Sequence, residues 1–473
     1  MVFSSSVFLL YFLPLFLLLY FIATQKNKNY ILLLASLVFY SWGEPWFVYI
    51  IIASTYLDYH IVNKLYRATK KRNKNIFLAL SISTNLGLLV YFKYANFFVD
   101  NVNSFLNSVG IEQVEWTSVA LPIGISFYTF QTLTYSIDIY RGLHKPLEKV
   151  SDYIMYIMMF PQLIAGPIVR FSEVADQITN RKDGVDNRLL GFYRFIIGLS
   201  KKVLIANVMG AKADEIFSSN FYQLDSTSAW IGILAYTFQI YYDFAGYSDM
   251  AIGLGRMMGF KFPENFDNPY ISQNISEFWR RWHITLGRWM KDYLYIPLGG
   301  NKVNSKSRLY FNLWFVFLVS GLWHGASWTF VAWGGYHGLF LILDRLFLLK
   351  FFKLIGKYPS ILITFFLTVM GWVIFKIEDF DLAILYYQKL FEFNFHKVVM
   401  FHYNEFFFVL GIAFLFAFLT LSKFGLKLQE RIFFKDYSNK QHITATVLAL
   451  IFLIFCIASI TASDFNPFIY FRF

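Results

Sequence analysis

Two histidines stand where titratable side chains are costly. His324 lies in Ser320-Gly-Leu-Trp-His-Gly-Ala326, at the end of an apolar run over 309–323, and His283 lies in Phe278-Trp-Arg-Arg-Trp-His-Ile-Thr-Leu286. An imidazole in hydrocarbon normally faces a protein interior or a water-filled cavity, which makes it a functional candidate. With an ordinary pKa of about 6.5 it takes and returns protons near neutrality, the work of a general base. The local sequence is equally compatible with a histidine whose two nitrogens are satisfied by backbone or water. A third, His337 in Trp333-Gly-Gly-Tyr-His-Gly338, sits among glycines that fit close helix packing and reads as mainly structural. Asp243 and Asp249, in Tyr241-Tyr-Asp-Phe-Ala-Gly-Tyr-Ser-Asp249, lie in or beside an apolar run and need partners. They either orient a histidine or brace helices, and bracing is the simpler role.

Other chemistries have no foothold. There is no HExxH metal spacing, no P-loop and no dinucleotide glycine fingerprint; Gly253-Leu-Gly255 is too short to count. No metal and no permanently bound cofactor are expected. The single cysteine, Cys456, excludes internal disulfides and cysteine metal clusters. It falls in the last apolar run, where burial raises a thiol's pKa and disfavours a thiolate nucleophile.

The elements that position these residues are helices in oil. Of 473 residues 57% are hydrophobic and only 15% charged, against roughly 45–50% and 25% in a soluble domain. Apolar runs cover 7–24, 30–62, 76–92, 120–140, 153–169, 190–209, 229–254, 309–323, 328–349, 360–377, 406–422 and 443–461. Most approach the ~20 residues a helix needs to cross a bilayer core. They lack the ten-residue alternation of an outer-membrane barrel. An all-α polytopic membrane protein with about twelve transmembrane helices is expected, the run over 30–62 being ambiguous. The first run has no positive flank before it and no small-residue cleavage site, so it reads as a retained span. No repeat of 20–50 residues is visible, which gives a two-halved transporter no support.

The formal charge of +12 has two uses: lysine and arginine gathered in cytoplasmic loops, and a cationic mouth for an anionic ligand. Nucleic acid is not an expected partner, because the basic residues are dispersed and the aromatics between them belong to spans. Lys26 and Lys28 follow the first run, and Lys423, Lys427, Arg431, Lys435 and Lys440 fill the gap before the last. Both gaps are expected in the cytoplasm, which puts both termini outside and makes the number of crossings even.

One region breaks the apolar pattern. On a helical wheel of 276–293, Phe278, Trp279, Trp282, Leu286, Trp289, Met290 and Tyr293 share an arc, with His283 beside Trp279 and Met290. Glu277, Arg280, Arg281, Arg288, Lys291 and Asp292 fall opposite, with Ile284 the exception. The spacing predicts an interfacial helix, aromatics toward the apolar layer and guanidinium groups toward phosphates. Pro297-Leu-Gly-Gly300 ends it, so a re-entrant or surface helix pair is expected.

The order Phe-Pro-Glu-Asn-Phe-Asp (262–267), Glu-Phe-Trp-Arg-Arg-Trp-His-Ile-Thr-Leu (277–286), Asp-Tyr-Leu-Tyr-Ile-Pro-Leu-Gly-Gly-Asn (292–301) and Ser-Gly-Leu-Trp-His-Gly-Ala (320–326) resembles the membrane-bound O-acyltransferase family. The resemblance is to its bacterial branch that acetylates alginate or peptidoglycan, with the teichoic acid D-alanylation protein more distant. The matched core covers about 240–340 within one membrane domain over 1–473. The resemblance implies a ring of helices around a narrow passage, with His324 catalytic and His283 positioning substrate or supporting the site. It implies an acyl thioester donor, acetyl-CoA, reaching the passage from the cytoplasm of a bacterial inner-membrane protein. Arg280, Arg281, Arg288 and Lys291 are candidates for its phosphates, Trp323 and Asp243 for further substrate contacts. Trp323 and Gly325 give His324 an apolar, tightly approached setting expected to keep it neutral.

The chain ends Asn466-Pro-Phe-Ile-Tyr-Phe-Arg-Phe473. This tail over 462–473 suits an interfacial anchor. It also resembles the C-terminal tyrosine motif of envelope-acylation systems, which implies that Tyr470 carries the acyl group to an extracytoplasmic partner, a transferase or esterase of SGNH type. D-alanyl transfer from a carrier protein is the alternative within the class. A proton-relaying transporter and a structural scaffold are the alternatives outside it.

Overall fold

A bilayer offers the backbone no hydrogen bonds, so a chain this apolar must satisfy its N–H and C=O groups internally. The computed structural model describes residues 1–395 and 404–462, and every regular element among them is a helix. Among the described residues four helices are long and apolar enough to cross a membrane: Lys71–Ser108, Lys357–Lys376, Asn404–Leu421 and Asn439–Ala462. Length and hydropathy therefore account for four of the dozen expected crossings. The reason is visible in the helix Ser226–Met257, whose 32 residues are long enough but carry tyrosines, Gln239, Asp243 and Asp249. That helix is buried by protein along most of its length, and its polar residues depress its hydropathy.

The chain forms two compact units. The first contains residues 1–2, 7–184 and 258–263. Its centre is Asp58, fully buried in the helix Phe47–Arg67. One carboxylate oxygen accepts from the Ser81 hydroxyl at 2.5 Å and from Asn85 Nδ2 at 3.0 Å; the other accepts from the Tyr153 hydroxyl at 2.6 Å. Ser81 also meets Ser136 at 2.6 Å, so one buried carboxylate ties four helices together. Three donors are what make an uncompensated carboxylate tolerable away from water.

The second unit contains residues 3–6, 185–257 and 264–473, and it holds both candidate histidines. Its spine is the crossing of Val185–Ser200 with Ser226–Met257. A Cβ on Gly198 would lie 2.5 Å from the Gly246 carbonyl oxygen, and one on Gly191 would lie 2.6 Å from that of Gly253. Two glycines seven residues apart on each helix thus face each other in antiparallel order and let the backbones touch. The close crossing brings cations to the two aspartates. Arg194 Nη2 is 2.5 Å from Asp249 and 2.6 Å from Glu264, Lys201 Nζ is 2.6 Å from Asp249, and Lys202 Nζ is 2.8 Å from Asp243. The Arg194 guanidinium also lies over the Phe433 ring, 4.2 Å from its centroid.

Candidate active site

The polar stretch predicted as one helix over 276–293 is instead two, Ile275–Arg281 and Ile284–Met290, with Trp282 and His283 between them. The break falls where a distant segment holds the backbone in a turn. His283 adopts left-handed backbone angles, φ 44° and ψ 53°, a conformation that costs a non-glycine residue about 1–2 kcal/mol. Hydrogen bonds from the 265–267 segment hold it there. The Ile284 N–H donates to the Asn265 carbonyl at 2.9 Å, and the Asp267 N–H donates to the Arg281 carbonyl at 2.9 Å. Asn274 caps the first helix through the Glu277 N–H at 2.8 Å. Asp344 anchors the same end by accepting from the Ser276 N–H and hydroxyl, each at 2.7 Å.

The faces read from the wheel survive the break. Phe278, Trp282, Leu286, Trp289 and Met290 are buried, and Arg280, Arg288 and Lys291 are exposed. Arg281 differs from its neighbours: Nε is 2.9 Å from Glu277 and Nη1 is 2.9 Å from Asp267, so two carboxylates engage it. Arg280 is an electrostatic neighbour of Asp344.

His324 ends the helix Lys306–His324, and Trp328–Leu343 packs back against it. A Cβ on Gly321 would collide with the Phe330 carbonyl oxygen, and one on Gly334 with that of Phe317. This backbone-to-backbone contact sets Trp333 against His324, ring centroids 5.1 Å apart. Trp323 lies 4.9 Å from His324 and 6.0 Å from His283, and Phe375 closes another side of His324 at 5.4 Å. Phe244 meets His283 edge-on at 4.7 Å. Both histidines are buried, and their ring centroids are 6.5 Å apart. That separation is too long for a direct hydrogen bond between the rings.

His337 lies outside this pair. It is fully buried among Trp279 and Trp333, each 5.0 Å away, with Phe278 stacked at 6.4 Å. Gly371 makes room for its ring: a Cβ there would lie 3.0 Å from Nε2. Asp243 is brought to Lys202 by its carboxylate and sits one residue from Phe244, in the wall of the site. Tyr470 lies outside the described residues. Asn265, inside the 262–267 motif, and the cations of 190–209 that pair with the aspartates do not stand out in the sequence. Arg194, Lys201 and Lys202 do fall on one side of a helical wheel, a signal that was there to be read.

Two buried imidazoles ringed by aromatic side chains thus lie in a chain whose described elements are all helices, four of them long and apolar enough to cross a membrane. Residues 143–378 match the membrane-bound O-acyltransferase family. The chain is 40% identical to a probable alginate O-acetylase of Pseudomonas putida over the full length of both. It is 38% identical to a peptidoglycan O-acetyltransferase of Helicobacter pylori, covering 81% of this chain and 78% of that one. Similarity to a teichoic acid D-alanyltransferase of Bacillus subtilis is 30% over 54% of this chain and 69% of that one. The chain belongs to the membrane-bound O-acyltransferase family and is a membrane-bound acyltransferase.

Proposed function

We propose that the protein acetylates a polysaccharide outside the cytoplasm, with acetyl-CoA as donor and His324 as general base. The observation that carries this reading is the buried pair of His324 and His283 in one aromatic shell, ring centroids 6.5 Å apart. In the proposed reaction an imidazole nitrogen of His324 takes the proton of an acceptor hydroxyl, and the oxygen attacks the thioester carbonyl. The tetrahedral intermediate collapses, the C–S bond breaks, and the proton passes from His324 to the departing thiolate. An acyl ester and a free thiol result. His283 positions substrate, and exposed Arg280, Arg288 and Lys291 are proposed contacts for phosphates of the donor. The relatives that match most of the chain, named for alginate and peptidoglycan, favour a glycan as final acceptor.

The same reading places the chain in a bacterial inner membrane, crossing about twelve times with both termini outside. Tyr470 then emerges on the side where the acyl group leaves. Its hydroxyl is the proposed first acceptor, activated by His324, and an SGNH-type transferase is the proposed partner that takes the acyl group onward. The shorter similarity to a D-alanyltransferase supplies the second reading, D-alanyl transfer from a carrier protein.

Purified protein in lipid nanodiscs, supplied in turn with acetyl-CoA and with D-alanyl carrier protein, separates the two. Release of free thiol from acetyl-CoA, lost in His324→Ala, is the expected result. Turnover of the carrier protein alone would transfer the chain to the second reading. In cells, Tyr470→Phe is expected to abolish glycan acylation at normal protein level, because it removes only the hydroxyl. Unchanged acylation would return the tail to an anchoring role.

A further inference from the structure

The two nitrogens of His283 have different surroundings. Nδ1 lies 3.1 Å from Asn265 Oδ1. The same amide oxygen accepts the Thr285 backbone N–H at 3.3 Å and the Thr285 hydroxyl at 2.8 Å. A backbone N–H can only donate, so the amide atom it meets must be the oxygen, which fixes the orientation of the Asn265 side chain. Asn265 Nδ2 then donates to the Ser248 hydroxyl at 3.1 Å, consistent with that orientation. An amide oxygen can only accept. Nδ1 of His283 therefore carries the proton, and the lone pair is on Nε2.

Nε2 of His283 is buried and has no hydrogen-bond partner among the described residues. The residue as a whole is 1% exposed. A buried acceptor without a donor costs about 1–3 kcal/mol, and here the backbone carries left-handed strain as well. Two costs at one residue, next to the second histidine of the site, mark a group held in place for an absent donor.

We infer that Asn265 is a positioning residue that locks His283 in its Nδ1–H form, so that Nε2 accepts a hydrogen bond from an O–H or N–H group of the bound substrate. The inference rests on the proposed role of the histidine pair. It adds that His283 cannot donate to the substrate, and it names the side chain that enforces this. The donor is either the hydroxyl of the acyl acceptor or an amide N–H of the thioester arm. Kinetics separate them. A loss confined to kcat identifies the hydroxyl that must be aligned for attack; a rise in KM for the acyl donor identifies the amide.

The test compares Asn265→Asp, which keeps an acceptor oxygen, with Asn265→Leu, which has none. Asn265→Asp buries a charge but keeps the oxygen facing Nδ1, so it is expected to retain several-fold more turnover than Asn265→Leu. Asn265→Leu is expected to fall about 10- to 100-fold, the scale of one buried hydrogen bond to a substrate. The double variant Asn265→Leu with His283→Ala is expected to be no worse than His283→Ala alone, because Asn265 acts through that ring. Solid-state NMR on protein labelled with ¹⁵N-histidine, with the His283 signals assigned by their loss in His283→Ala, reads the tautomer directly. It is expected to show Nδ1–H in wild type and in Asn265→Asp. An Nε2–H form at His283 in wild type overturns the inference, whether or not the leucine variant folds; so do additive losses in the double variant. Wild-type turnover by His283→Ala would instead overturn the histidine reading itself, while the tautomer measurement would still speak to Asn265.

Discussion

Two buried polar sites in the second unit are built in opposite ways. At the crossing of Val185–Ser200 with Ser226–Met257 the charges are closed against one another: Asp249 takes Arg194 and Lys201, and Asp243 takes Lys202. At the histidine site, Nε2 of His283 has no partner among the described residues, and the walls are Phe244, Trp323, Trp333 and Phe375, mainly apolar rings. Burying charge in a medium of low dielectric demands saturation, because an unpaired ion has no water to return to. A site that must accept a substrate needs the reverse: an unsatisfied valence, held rigidly. On the proposed function the first site contributes to stability and the second to chemistry, and substitutions should separate the two.

The largest effect is expected at His324. His324→Ala removes the proposed general base, a loss of about 10²–10⁴-fold in acyl transfer, while expression and membrane insertion stay near normal. Turnover by purified protein measures it, and a wild-type rate would end the proposed mechanism. His283→Ala is expected to lose less than His324→Ala, since it takes away an acceptor that positions substrate. The reverse order would move the base to His283.

Asp243→Ala should show the opposite pattern. It takes the carboxylate from Lys202, which is 2% exposed, and breaking a buried pair from one side costs about 3–5 kcal/mol. The expected outcome is a marked fall in melting temperature in detergent, with turnover per folded molecule close to wild type. A loss of turnover without loss of stability would restore Asp243 as a substrate contact. Gly198→Ala tests the same crossing more gently. Its Cβ would lie 2.5 Å from the Gly246 carbonyl oxygen, and overpacking of this kind costs about 1–3 kcal/mol. A smaller fall in melting temperature is expected, again without change in turnover per folded molecule.

The two sites also differ in how legible they were in the sequence. The histidines stood out because an imidazole at the end of an apolar run violates the pattern around it, and the aromatic arc around Trp279, Trp282 and Trp289 announced which face would be buried. The break at Trp282 and His283 was not legible, because its cause is tertiary. Local periodicity continues through it, and the hydrogen bonds that hold the left-handed turn come from Asn265 and Asp267. The ion pairs were half legible: two aspartates in an apolar run called for partners, but the partners lie on another helix. The glycines that bring those helices together, Gly191 and Gly198 against Gly246 and Gly253, carry a seven-residue spacing that is meaningful only once the two helices are known to cross. The run over 229–254 was legible as apolar, yet Ser226–Met257 carries Gln239, Asp243 and Asp249 on a helix buried along most of its length.

His337 gives a small expected effect and the finest test of the comparison. Neither of its ring nitrogens has a hydrogen-bond partner among the described residues, so by the criterion of open valence it resembles His283. Its surroundings argue otherwise. Trp279, Trp333 and Phe278 contact the ring, and Gly371 seats it so closely that a methyl group there would press on Nε2. Nothing polar holds either nitrogen in a chosen orientation, whereas Asn265 holds Nδ1 of His283. An unpartnered nitrogen in a close-packed aromatic pocket, with no group to set its tautomer, is a filler of space. His337→Phe keeps the ring stacking and loses no hydrogen bond but enlarges a ring in a close-packed pocket, so it is expected to cost about 1–3 kcal/mol and to leave turnover per folded molecule within about threefold of wild type. Turnover and melting temperature measured together decide the point. If His337→Phe lost as much turnover as His283→Ala while remaining folded, open valence alone would be the mark of a chemical site, and the requirement for an orienting partner would have to be abandoned.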